Sequence, residues 1–109
     1  NADRKPVVLH SENGNLYSYI NTVKYEAFDE LETKEIQMKD GLYIAFNPQF
    51  LADAFSIVDS DNPVCIGNNA KAPMLITGNE YSFLVLPVNI TSDDYSVKFA
   101  EHINRGEVA

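Results

Sequence analysis

The chain has 109 residues, with 16 acidic side chains against 8 basic ones, a formal net charge of −8 and a single cysteine. That length holds one domain, or part of one, with a modest core. The charge speaks against a domain that grips nucleic acid over its whole surface, one cysteine excludes an internal disulfide, and no apolar run approaches the roughly 18–20 residues of a membrane span. With no secretory signal visible, a reducing cytoplasm is the expected compartment.

In chain order, Asn1-Ala2 reads as the remnant of a protease-cleaved tag, which would start the native sequence at Asp3. Residues 7–10 form a short strand, Asn13-Gly14 is a hairpin turn, and residues 16–24 return as a second strand. Residues 25–38 read both ways. Their Glu, Leu and Lys content favours helix, whereas Glu35-Ile36-Gln37-Met38 alternates like a strand. A turn at Lys39-Asp40-Gly41 leads into a strand over residues 42–46.

Asn47-Pro48 then starts a helix, with a polar cap followed by proline at the first helical position. Phe50, Leu51, Ala54, Phe55 and Val58 fall on one face of it. Residues 59–63 break the chain, and Val64-Cys65-Ile66 resumes a strand. Residues 73–77 extend, and residues 81–88 form a long apolar strand. A final helix spans residues 93–105, capped by Ser92, with Arg105 in its last turn and Gly106 just beyond. Tyr95, Phe99 and Ile103 give it one apolar stripe to bury on the preceding strands.

Little in the chain points to catalysis. His10 and His102 lack companions at metal or triad spacing and read as surface or half-buried residues. Cys65, inside an apolar strand, reads as a buried structural thiol. The glycines sit in separate turns, without a phosphate-binding pattern. Glu26, Asp29, Glu30, Glu32 and Glu35 are mixed with hydrophobics and read as a solvated face, not a metal site. No cofactor and no enzymatic activity are expected.

The unit from Leu42 to Val88 is strand, helix, strand, strand, strand. Its helix start (Phe46-Asn47-Pro48, then Phe50-Leu51 and Asp53-Ala54-Phe55), its Pro73-Met74-Leu75-Ile76 segment and its ending (Leu84-Val85-Leu86-Pro87-Val88) resemble the C-terminal domain of the bacterial DNA polymerase III β subunit, the sliding clamp. The likeness extends more loosely to the hairpin in residues 7–24. The resemblance implies an α+β fold, a βαβββ unit with an antiparallel sheet and helices on one face, plus the C-terminal helix. It also implies an edge-region strand within residues 25–38, against their helix propensity. Residues 3–90 would then be a partial clamp-like domain and residues 91–109 a helical extension. The chain lacks the first strand and helix of the family's first unit, and carries Asn89 where the family's ending has arginine.

By the same resemblance, the function is that of a processivity factor. A peptide-binding groove is expected at Phe50, Lys71, Pro73, Leu84, Leu86, Pro87 and Val88. Its partners would be DNA polymerase and other clamp-binding proteins carrying a short linear motif. Duplex DNA would be held only weakly, within a ring; a homodimer fits, and a membrane partner does not. The alternative is a clamp-derived structural domain that assembles with itself without encircling DNA. The two alternatives differ in whether the groove is open to a peptide.

Overall fold

The computed structural model describes residues 5–22, 24, 26–31, 35–58, 63–90 and 93–104. The tag-like Asn1-Ala2, most of the break after the first helix, the Ser92 cap, Arg105 and Gly106 lie outside the described residues. Among the described residues, eight strands and two helices run in the order β1 (Val7–Glu12), β2 (Asn15–Asn21), β3 (Glu26–Leu31), β4 (Glu35–Met38), β5 (Tyr43–Phe46), α1 (Pro48–Val58), β6 (Val64–Gly67), β7 (Met74–Thr77), β8 (Ser82–Val85) and α2 (Asp93–Asn104). They build two four-stranded sheets, ordered β3-β2-β1-β5 and β4-β6-β7-β8.

The first hairpin follows its turn chemistry. Asn13 and Gly14 both take positive φ, 53° and 82°, the backbone that a two-residue turn needs to match the twist of its strands. Gly41, at φ 81°, serves the turn before β5. The two turns are tied together: Asn13 N–H donates to Asp40 Oδ1 at 2.7 Å, and Gly41 N–H donates to the Ser11 carbonyl at 2.8 Å.

Within residues 25–38 the described parts, Glu26–Leu31 and Glu35–Met38, are strands, as the resemblance implies and against the segment's helix propensity. They do not form a single edge strand, however. β3 pairs with β2 in the first sheet, whereas β4 runs parallel to β6 in the second. The chain therefore changes sheets here. The long apolar strand also ends early. β8 stops at Val85, Leu86 and Pro87 leave the ladder, and Val88 N–H donates to the Ala45 carbonyl on β5 at 2.8 Å. Pro87, with no N–H, cannot continue a two-sided ladder. Residues 86–88 thus form a strap from the second sheet to the free edge of the first.

Strand alternation gives the first sheet two buried faces. Leu9, Leu16, Ile44 and Phe46 point one way, into an aliphatic core shared with Leu51, Ala54 and Val58 of α1 and with Cys65, Met74, Ile76 and Val85 of the second sheet. Val8, Tyr17, Tyr19 and Ala45 point the other way, onto Phe99 of α2, with Phe28, Tyr43, Tyr95 and Ile103 around it. The α+β class and the C-terminal helix are as read from the sequence. The expected single antiparallel sheet is two sheets, one of them mixed. The helices, expected on one face, lie on opposite faces of the first sheet, because that sheet is apolar on both sides. The stripe of Tyr95, Phe99 and Ile103 does bury on the first strands, and Phe99 is fully enclosed.

Candidate functional site

Local chemistry starts α1 sharply. Asn47 Oδ1 accepts the N–H groups of Gln49 and Phe50 at 2.9 and 3.2 Å, satisfying two donors that a helix start leaves free. Packing then decides which flank of the helix is core. Leu51, Ala54 and Val58 are buried, whereas Phe50 stays 62% exposed and Ile57 49% exposed. The apolar period groups Phe50 with Leu51, Ala54, Phe55 and Val58 on one face, but Phe50 and Ile57 lie off the buried positions. In place they form a second apolar stripe, seven residues apart and pointing outward.

Across from that stripe, β8 and the strap supply the opposite wall. Val85 turns into the core, while Leu84 is 62% and Leu86 72% exposed. An open groove of about 550 Å³ lies between, lined by Asn47, Phe50, Asp53, Ile57, Phe83, Leu84, Leu86, Pro87 and Val88. Its lining is predominantly apolar, and its volume falls in the range of small-ligand and anchor pockets. The structure therefore gathers five of the seven sequence-nominated residues: Phe50, Leu84, Leu86, Pro87 and Val88. Lys71 and Pro73 are exposed on the β6–β7 connection and are not among the described lining. Pro73 directly precedes Met74, which pairs with Val85, so it follows the ladder toward Leu86.

Sequence reasoning missed Asn47, Asp53, Ile57 and Phe83 as groove residues. The helical spacing of Phe50, Asp53 and Ile57 was a usable signal, since these positions share one face. None of the described residues of α2 lines the groove. A second hollow, about 400 Å³, lies between residues 39–43 and Asn68-Asn69-Ala70, with a mixed polar and apolar lining.

The docking of α2 combines rings with one carboxylate. Phe99 meets Tyr19, Phe28, Tyr43 and His10 edge-on or tilted, and His102 stacks on Phe28 with centroids 4.7 Å apart. Glu26 of β3 accepts the Tyr19 hydroxyl and lies 3.8 Å from Lys98 Nζ and 3.6 Å from His102 Nε2. The Tyr19 hydroxyl, with help from Lys98 and His102, holds the Glu26 carboxyl below its usual range, while burial and then Glu26 push Tyr19 up.

Neither histidine is a surface residue. Strand alternation turns His10 toward α2, where it is buried, stacked on Tyr43, and held between the Leu42 carbonyl (Nδ1, 3.0 Å) and Glu12 (Nε2, 3.2 Å). His102 is mostly covered by Phe28 and Tyr19. Cys65 is fully buried, and burial pushes its thiol up to about 11, which makes it unreactive at neutral pH. Asp29 and Glu30 are exposed, in keeping with a solvated acidic face. Among the described residues no three His, Cys, Asp or Glu side chains gather to hold a metal ion, and no described helix is long and apolar enough to cross a membrane.

Two sheets, a capped helix at their seam and a proline strap between them define a clamp-like α+β domain. A crystal structure from Eubacterium rectale assigned as a DNA polymerase III β subunit matches this fold with a TM-score of 0.64 and 29% identity, covering 83% of this chain and 24% of that one. The DNA polymerase III β subunit of Pseudomonas aeruginosa matches with a TM-score of 0.65 and 21% identity, covering 83% of this chain and 25% of that one. The chain is thus similar in fold, over most of its length, to DNA polymerase III β subunits, and spans about a quarter of theirs. No protein-family model and no curated protein matches the sequence.

Proposed function

We propose that this chain is a piece of a DNA-replication sliding clamp, from its C-terminal domain, and that its groove receives a short linear segment of polymerase and other replication proteins. The observation that carries the reading is the gathering of Phe50, Leu84, Leu86, Pro87 and Val88 around one open groove in a domain with this fold. Exposed apolar side chains beside a rigid proline make a concavity in which a bulky Leu or Phe can anchor. Lys71 and Pro73 enter the proposal as outer contacts for a longer peptide. In this reading the protein acts by binding, without catalysis, in the cytoplasm. A homodimer fits the reading. Helix α1 carries Asp53 and no Lys or Arg, so duplex DNA is expected to be held only weakly, with a closed ring keeping it in place.

Titration of the isotopically labelled chain with a clamp-binding peptide tests the reading. Amide shifts are expected at Phe50, Leu84 and Leu86, and Leu86→Asp should weaken binding at least about tenfold by placing a carboxylate in the apolar wall. Because Leu86 is largely exposed, that variant is expected to keep its fold. Absence of shifts at the groove would overturn the reading.

A second reading, a clamp-derived structural domain that assembles with itself, draws on a different observation. The outer face of the first sheet is covered by the chain's own α2, so it needs no neighbouring domain there. The surrounding coding sequence separates the two. Two further clamp-like domains upstream favour the first reading, and a stand-alone frame favours the second.

A further inference from the structure

Asp53 is the single charged side chain among the described residues that line the groove. It sits on α1 three residues after Phe50 and four before Ile57, so a carboxylate stands within the exposed apolar stripe. Its Oδ1 accepts the Gln49 side-chain amide at 2.9 Å, and no Lys or Arg pairs with it among the described residues. The other polar lining group, Asn47, already spends its side-chain oxygen on the helix cap.

Asp53 is exposed and lines the groove with Phe50 and Leu84, so an apolar segment lying across those two would cover part of its carboxylate. An ionised carboxylate loses much hydration that way and regains it only from a cation or a strong donor. The chain's net charge of −8 further favours a cationic partner during approach. We infer that the groove takes an extended peptide segment bearing two bulky apolar side chains with a Lys or Arg beside them, and that Asp53 selects that cation. The inference rests on the proposed groove reading and specifies its partner's chemistry.

Three short peptides, identical except for Arg, Gln or Glu beside the apolar pair, are titrated into the native chain, Asp53→Asn and Asp29→Asn. Asp29 is an exposed carboxylate on β3, so its variant makes the same charge change away from the groove. The native chain should bind the Arg peptide about fivefold more tightly than the Gln peptide, and the Glu peptide more weakly still. Asp53→Asn should erase the ranking by raising the Gln and Glu peptides toward the Arg peptide, with an unchanged melting temperature reporting an intact fold. Asp29→Asn should keep the ranking, and added salt should compress it. Equal binding of all three peptides, or a preference for Arg that survives Asp53→Asn, would overturn the selection by Asp53 and leave the groove standing. Failure of all three peptides to bind would overturn the groove reading and this inference with it.

Discussion

The two faces of the first sheet are buried by different chemistry. One meets α1 and the second sheet through Leu9, Leu16, Ile44 and Phe46, all aliphatic but one and none of them polar. The other meets α2 through stacked and edge-on rings, with a buried histidine and a glutamate at the margin. Aliphatic burial is non-directional and rewards enclosed area. Rings and hydrogen bonds are directional, so they fix the rotation and register of the one helix they hold. The first face joins the two sheets; the second positions a single element.

The sharpest way to break that division is to hollow out each face in turn. Phe46→Ala empties the centre of the aliphatic core and should cost about 3–5 kcal/mol, enough to threaten the whole domain. Global unfolding by denaturant measures it, with both sheets expected to melt together. Phe99→Ala should cost roughly 3 kcal/mol and show itself differently. Hydrogen exchange should rise first in α2 and the Tyr19 region, while amides of β6 and β7 stay protected. Equal loss of protection throughout would mean that the two faces form one cooperative unit.

The smallest change sharpens the polar margin. Glu26→Gln leaves an amide that still accepts from Tyr19 but lacks the charge facing Lys98 and His102. The folded Glu26 carboxyl is held below its usual value of 4.5. Its contribution is therefore complete above that value and disappears as pH falls through the lower folded value. In acid titrations the native and variant chains should be offset by a constant amount above pH 4.5 and converge as pH falls below it. An offset that does not shrink in acid would show that the Glu26 charge does not help to hold α2.

Much of this was legible in the sequence, and what was not follows a pattern. Asn13-Gly14 and Asn47-Pro48 announced their turn and helix start because the relevant physics lies within four residues. The apolar period of Tyr95, Phe99 and Ile103 announced a buried stripe. Residues 25–38 were harder: which sheet each half joins depends on partners far along the chain, β2 for one half and β6 for the other. The end of β8 was hidden for the same reason, since Val88 leaves its ladder for Ala45. In the groove, Phe50 was nominated by the resemblance, while the apolar period grouped it on one face with Leu51, Ala54 and Val58; in the structure those three are buried and Phe50 is exposed. Helical periodicity shows that two apolar flanks exist, but not which of them meets the core. Asp53 and Ile57 were missed together with that flank.

The covering of the first sheet by α2 also bears on how the chain is made. By the time Phe46 has left the ribosome, all four strands of that sheet exist. The ring that seals their outer face, Phe99, is about fifty residues behind, a delay of roughly 3–10 s at ordinary rates of synthesis. For that interval Tyr17, Tyr19, Phe28 and Tyr43 have no α2 to cover them. The acidic outer strand, with Asp29 and Glu30 exposed on β3, places like charges at the edge where two such nascent sheets would otherwise pair.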